Sequence, residues 1–390
     1  MLKKALCLAL LVCALAFVVR AQGAPQGAQS QGAIENRPGA NRKPEFPPPS
    51  IIDYKPKSTL VVPEHPVKRA KFPVIDIHSH QPAPISAAQM DQVVAGMDAL
   101  NLQVLVNASG ATGDRLVKSI AAINATRHKG RMVMFTNINF QNVGPGYGAA
   151  TAKQLEADVK AGALGLGEIM KGFGLRSRRT DGTRLKIDDP ELDPIWETAA
   201  RLKIPVLIHT GEPQEFFEPI DYDNERWLEL ALFADRRNPP TQSPRFEELM
   251  AERDRLFRKH PKTTFVVAHF GWHANNLGRL GTMLDEMPNL YVETGAILAE
   301  LGRQPRAAHD FFVKYQDRVI FGKDTYQPDE FPYFWRTFET ADEYFDYYRD
   351  YHAFWKLYGM ALPDAVLKKL YYQNVLKITP GLSAATGLKP

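Results

Sequence analysis

The sequence predicts an α/β protein: a (β/α)8 TIM barrel with long loops after strands four, five and eight and extra C-terminal helices. Three observations lead there. Beyond Lys71, short β-rich runs alternate with stretches of helical spacing eight times, the signature of a closed parallel barrel. The runs are apolar nearly throughout, as expected of strands covered by helices. No Gly-rich phosphate loop follows the first run, which leaves a doubly wound open sheet without support.

In chain order, the first element is an export signal. Lys3 and Lys4 precede an apolar stretch, Ala5 to Val19, and then Val19-Arg20-Ala21, so residues 1–21 read as a secretory signal peptide. The stretch is short for a membrane span of about 20 residues; if retained, it is an N-terminal anchor. Leu10-Leu11-Val12 before Cys13 lacks the small residue a lipoprotein signal prefers. The protein is therefore expected in the periplasm or outside the cell, without a stable membrane span after cleavage. Both cysteines, Cys7 and Cys13, lie in this segment, so any metal must sit on histidines and carboxylates.

Residues 22–71 are rich in Gln, Gly, Ala and Pro and read as a tether or surface-wrapping arm. Its apolar clusters, Ile51–Tyr54 and Leu60–Val62, are candidates to pack on the domain. Residues 1–70 carry ten Lys/Arg against four acids, so of the formal net charge of +4 the remainder holds −2. A nucleic-acid partner needs a basic face on the folded domain, and this charge distribution excludes one.

The barrel occupies residues 72–390. Its expected units are strand Val74–His78 with helix Ala87–Leu100, Gln103–Asn107 with Asp114–Arg127, and Met132–Ile138 with Ala152–Ala161. Leu164–Ile169 with Asp193–Leu202, Pro205–His209 with Pro244–His260, and Thr264–His269 with Leu277–Glu286 follow. Leu290–Glu293 with Pro305–Tyr315 and Arg318–Phe321 complete the set. The surplus over the ~250 residues of a typical barrel falls in the three long loops, where such a fold builds its active-site walls.

Strand one ends in His78-Ser79-His80, two histidines whose i, i+2 spacing lets both imidazoles face one ion. Strands five and six run into His209 and His269, and strand eight leads through Phe321-Gly322-Lys323 to Asp324. A lone HxH can simply satisfy local hydrogen bonds; four strand ends converging on one barrel mouth point to a metal centre.

These residues resemble the amidohydrolase superfamily, and IDIHSH, FGKD and the Tyr-rich C-terminal helices look most like its amidohydrolase-related branch of hydrolases and metal-dependent decarboxylases. The resemblance implies His78, His80, His209, His269 and Asp324 as ligands or near-ligands of a divalent metal, zinc first, with one or two ions. Glu168 at the end of strand four matches the bridging carboxylate of binuclear members; an ion pair with Lys171, Arg176, Arg178 or Arg179 is the alternative. A divalent ion on such ligands lowers the pKa of a bound water towards ~7. Asp324 is the expected general acid–base, with His269 helping to polarise the bond under attack.

The implied activity is hydrolysis of a small-molecule amide, ester or lactone-type bond. Decarboxylation is the alternative in the same fold, and a catalytically silent binding barrel the alternative from another class. His273, Glu293 and Lys323 are candidate substrate contacts, each with an ordinary structural reading beside it. The remaining histidines, His65, His128, His260, His309 and His352, read as solvent or packing residues. The aromatic stretch Tyr333–Tyr358 offers a lid, a homo-oligomer contact or outer-barrel packing.

Overall fold

The computed structural model describes residues 46–47, 49–352 and 355–389. The expected signal peptide and most of the tether lie outside the described residues. The chain divides into two units, residues 1–54 and 55–390. In the first, the described residues include a turn in which Asp53 N and Tyr54 N donate to Ser50 O.

The second unit contains a nine-stranded, all-parallel sheet. Its strands are β1 (Val74–His80), β2 (Leu102–Ala111), β3 (Met132–Thr136), β4 (Leu166–Ile169), β5 (Val206–Ile208), β6 (Phe265–Val267), β7 (Leu290–Glu293), β8 (Val319–Ile320) and β9 (Asp324–Thr325). Each pairs with its sequence neighbour through β8, while Asp324 and Thr325 of β9 pair with Ser79 and His80 of β1. Ile77 N also donates to Phe321 O at 3.2 Å. The eighth run thus splits into β8, against β7, and β9, against β1, and closes the barrel.

Between the strands lie α1 (Ala87–Leu100), α2 (Gly113–Asn124), α3 (Tyr147–Lys160) and α4 (Asp193–Leu202). Then come α5 (Trp227–Leu232), α6 (Phe246–Lys259), α7 (Leu277–Glu286), α8 (Leu298–Arg303) and α9 (Pro305–Lys314). After the sheet follow α10 (Phe331–Glu339), α11 (Asp364–Lys368), α12 (Asn374–Ile378) and α13 (Pro380–Thr386). α1, α4 and α7 match the sequence expectation to the residue. α5 and α8 were not expected: each is six residues long, too short for a helical period to show.

α1 illustrates the local logic. Ser86 caps it: its Oγ accepts from Gln89 N, and Gln89 Oε1 accepts from Ser86 N, a reciprocal box. Met90, Val94, Met97 and Leu100 bury one face, and Asn101 ends the helix in the left-handed region at φ 65°.

The apolar strands bury both faces. Ile75, Ile77, Val104, Val106, Phe135, Leu207, Val266 and Ile320 cluster with Val375, Leu376 and Leu382 from the C-terminal helices. Val74, Leu105, Leu166, Val206 and Phe265 instead join the larger core that includes Trp196 of α4 and Phe257 of α6.

Two expectations need correction. Leu60 and Val61 do not pack on the domain but are exposed; the arm is held by His65, whose N donates to Asp342 Oδ2 at 2.7 Å, and by buried Ala70. The C-terminal aromatic stretch also divides. Phe334, Trp335 and Phe338 of α10 are buried around Phe321 and Tyr371, whereas Tyr348 and Tyr351 line a cavity; Phe354 lies outside the described residues. Among the described residues no helix is long and apolar enough to cross a membrane.

Phe321 ties the eighth strand to this aromatic layer and is fully buried. Phe321→Ala is expected to cost about 3–5 kcal/mol of unfolding free energy, measured by urea denaturation; a loss below about 1 kcal/mol would show that the layer does not anchor the barrel closure.

Candidate metal centre

Six side chains meet at the C-terminal end of the strands. His78 Nε2 and His80 Nε2 are 3.3 Å apart. Glu168 Oε2 lies 3.4 Å from His78 Nε2 and 3.0 Å from His80 Nε2, and Asp324 Oδ1 lies 3.7 and 3.5 Å from the same atoms. On the other side, Glu168 Oε1 is 2.5 Å from His209 Nδ1, and His209 Nδ1 is 3.3 Å from His269 Nε2. The five histidine and aspartate positions expected from sequence are therefore brought together. Glu168 joins them rather than Lys171 or the following arginines; Lys171 pairs with Glu212 at 2.8 Å.

Local backbone aims these groups. β1 has a register irregularity between Asp76 and Ser79, which turns the strand end. His209 lies just beyond β5 and His269 two residues beyond β6, not within the strands as expected. His269, Phe270, Gly271 and Trp272 all have φ between 51° and 58°, an uncommon run for side-chain-bearing residues and a mark of a functional turn. This turn places both His269 and Trp272 on the cavity wall, with Trp272 ring centroids 4.6 Å from His269 and 5.6 Å from His209.

Glu293 holds the arrangement from behind. Its side chain is fully buried and accepts from His269 N at 2.6 Å and Gly295 N at 2.6 Å, with His78 Nδ1 at 3.2 Å. Gly322 leaves it room: a Cβ there would stand 2.2 Å from Glu293 Oε2. Glu293 is thus not a cavity-facing substrate contact, because its oxygens are committed to His78 and to backbone.

The hydrogen-bond pattern orients the lone pairs. His78 Nδ1 faces a carboxylate and His269 Nδ1 faces Gly295 O at 2.8 Å, so each ring in its neutral form carries its proton there and directs an Nε2 lone pair at the centre. These nitrogens and carboxylate oxygens crowd within 2.5 to 3.7 Å of one another. A cation would be held by such a set, and hydrogen-bond acceptors behind ligating histidines are the usual support for one. Three overlapping groups can hold an ion among the described residues: His78, His80 and Glu168; Glu168, His209 and His269; and His78, His269 and Glu293. Glu293's backbone bonds make the last one support rather than ligation.

The charges of the cluster are strongly coupled. Burial opposes charge on His78, yet Glu168 and Glu293 hold its pKa well above the usual histidine range. Burial likewise opposes ionised Glu168 and Asp324, but His78 and its neighbouring histidines keep both below the usual carboxylate range. His269 is pushed down by burial and by His209, which favours its neutral, ligating form.

A cavity of about 650 Å³ opens on His209, His269, Asp324 and Trp272. Its other walls come from the loops after strands four, five and eight: Lys171, then Glu212 to Arg236, then Gln327 to Tyr351. The two remaining contact candidates lie elsewhere. His273 is buried with Nε2 3.2 Å from Arg253 Nη2, and burial and that guanidinium push its pKa down to about 2. Lys323 is buried, donates to Thr325 O at 2.6 Å and pairs with Glu330.

Asp76 escaped the sequence reading. It is buried and accepts from His78 N at 3.0 Å and Lys323 N at 3.1 Å, with burial raising its pKa to about 7. An acid inside the apolar run Val74–Ile77 was the available signal.

Glu293→Gln removes the anion behind His78 while keeping its shape. Metal affinity, measured by chelator competition, is expected to fall about 10- to 100-fold; unchanged affinity would mean that Glu293 supports the fold and not the centre.

The Amidohydrolase family model matches residues 65–378. No curated protein matches the chain. Similar solved structures include dihydroxybenzoic acid decarboxylase from Polaromonas sp. JS666, with bound manganese and the inhibitor 2-nitroresorcinol, at 14% identity and TM-score 0.49 over 80% of this chain and 97% of that one. 4-Oxalomesaconate hydratase from Rhodopseudomonas palustris is 15% identical, TM-score 0.47, over 80% and 98%. 5-Carboxyvanillate decarboxylase from Sphingomonas paucimobilis is 14% identical, TM-score 0.47, over 80% and 99%. With the family model spanning the whole barrel and its ligand set, the chain belongs to the amidohydrolase family.

Proposed function

We propose that this protein is a metal-dependent hydrolase that cleaves an amide, ester or lactone-type bond of a small molecule held in the cavity. The observation that carries the reading is the span of Glu168, whose Oε2 faces His78 and His80 while Oε1 faces His209. His78 and His80 would hold one ion and His209 and His269 a second, with Glu168 in reach of both groups. Bound divalent ions, zinc first for so histidine-rich a set, supply a Lewis acid and water acidified to near neutral pH.

The chain's own groups do the rest. Asp324 borders the cavity with a side chain 27% exposed, so its carboxylate can take a proton from the attacking water and return it to the leaving group. His269, its Nδ1–H held by Gly295 O, offers a lone pair and no proton at Nε2. It therefore acts as a ligand rather than as a hydrogen-bond donor to the substrate. Trp272 and Phe216 supply apolar wall against which a small molecule is held. Lys3 to Ala21 support export, which puts this chemistry in the periplasm or outside the cell.

A second reading, decarboxylation around a single ion, is favoured by the direct 2.5 Å contact between His209 Nδ1 and Glu168 Oε1, which satisfies both groups without a second ion. Asp324 would then relay a proton from water to the carbon that loses its carboxyl group as CO2.

The two readings separate on a panel of lactones, esters, amides and aromatic acids assayed with metal-loaded protein. Hydrolysis without CO2 release is expected; CO2 release as the sole activity would replace the first reading with the second. Asp324→Asn is expected to keep most of the metal yet lower turnover by about 10²–10⁴-fold, and unchanged turnover with metal retained would remove Asp324 from the proton path.

A further inference from the structure

The charges on the cavity wall are paired, with one exception beyond the metal centre. Lys171 pairs with Glu212 at 2.8 Å. Glu229 takes Arg226 at 3.0 Å and Arg236 at 2.6 Å, and Arg226 also reaches Glu300. Glu330 is bonded to Lys323, and Asp350 to Lys55 at 3.3 Å. Arg349 alone of these lining cations makes no direct ion pair among the described residues; Glu330, the carboxylate that acts on it at longer range, is already bonded to Lys323. Its guanidinium lies 5.5 Å from the centre of the Tyr348 ring, and the residue is half-buried on the same wall as Tyr348 and Tyr351.

A guanidinium drawn partly out of water needs a counter-charge, and a planar, five-donor fork matches a carboxylate or phosphate best. Glu330 is shared with Lys323 and makes no direct pair with Arg349, so the position of a close counter-charge is left to the ligand. We infer that Arg349 is a specificity-determining residue that binds an anionic group of the substrate distinct from the group presented to the metal centre. The substrate is then a two-ended small molecule: a reacting group for the metal centre and a carboxylate or phosphate for Arg349. This rests on the cavity being the substrate site, not on which bond is cleaved there.

The test uses the metal-loaded full chain, with metal content measured on the same sample, and three probes titrated by calorimetry: isophthalate, 3-carbamoylbenzoate and benzoate. Isophthalate offers a second anion, carbamoylbenzoate a neutral group of the same shape, and benzoate neither. The native chain is expected to bind isophthalate about tenfold more tightly than carbamoylbenzoate, the scale of one charge-assisted hydrogen-bonded pair. Arg349→Gln is expected to abolish that preference while leaving benzoate unchanged, and Arg349→Lys to keep part of it. Equal binding of the two larger probes by native protein, a uniform loss for all three in Arg349→Gln, or no binding by metal-loaded protein would each overturn the assignment. Loss of the metal reading would show separately, as absent metal.

Discussion

The centre depends on the burial of one carboxylate. Glu293 sits with no access to water at the end of β7, where an unpaired charge would be prohibitive, so it must collect donors from its surroundings. It does so from three places: the His78 ring near the end of β1, the backbone after β6 and the backbone after β7, over the space left by Gly322 just beyond β8. Strand ends far apart in sequence are thereby locked in one geometry, and the lone pairs of His78 and His269 are turned towards each other's side of the cavity. The left-handed turn at His269 to Trp272 is held at its first residue by the same carboxylate.

Glu168 is the complementary element. Glu293 directs the histidines from behind, whereas Glu168 lies among them with one oxygen for each histidine pair. Two buried acids and four imidazoles, each 2.5 to 3.4 Å from a neighbour, form a cluster that cations can share. The loops after strands four, five and eight then surround this cluster with a cavity whose charges are nearly all internally satisfied, which leaves recognition to the few groups that are not.

Much of this was legible in the sequence. Parallel strands covered by helices spell continuous apolar runs, so the eight units could be counted and α1, α4 and α7 placed to the residue. Ligand positions were legible because they terminate those runs: His78, His80, Glu168, His209, His269 and Asp324 each follow an apolar stretch. What was not legible is pairing across the barrel. Glu293 looked like a pocket residue because its contact with His78 spans 215 positions. Lys323 and His273 looked like substrate contacts by proximity to Asp324 and His269, yet a few residues along a turning backbone suffice to point a side chain into the core. Arg349 carried no signal at all, since being unpaired is a property of its neighbours in space.

The central claim is that Glu168 joins two ion positions, and electron paramagnetic resonance of manganese-loaded protein, with the ions counted on the same sample, tests it most directly. The account predicts two ions per chain with an exchange-coupled spectrum, reduced to at most one uncoupled ion by Glu168→Ala. A native chain that saturates at one ion with an uncoupled spectrum would contradict it.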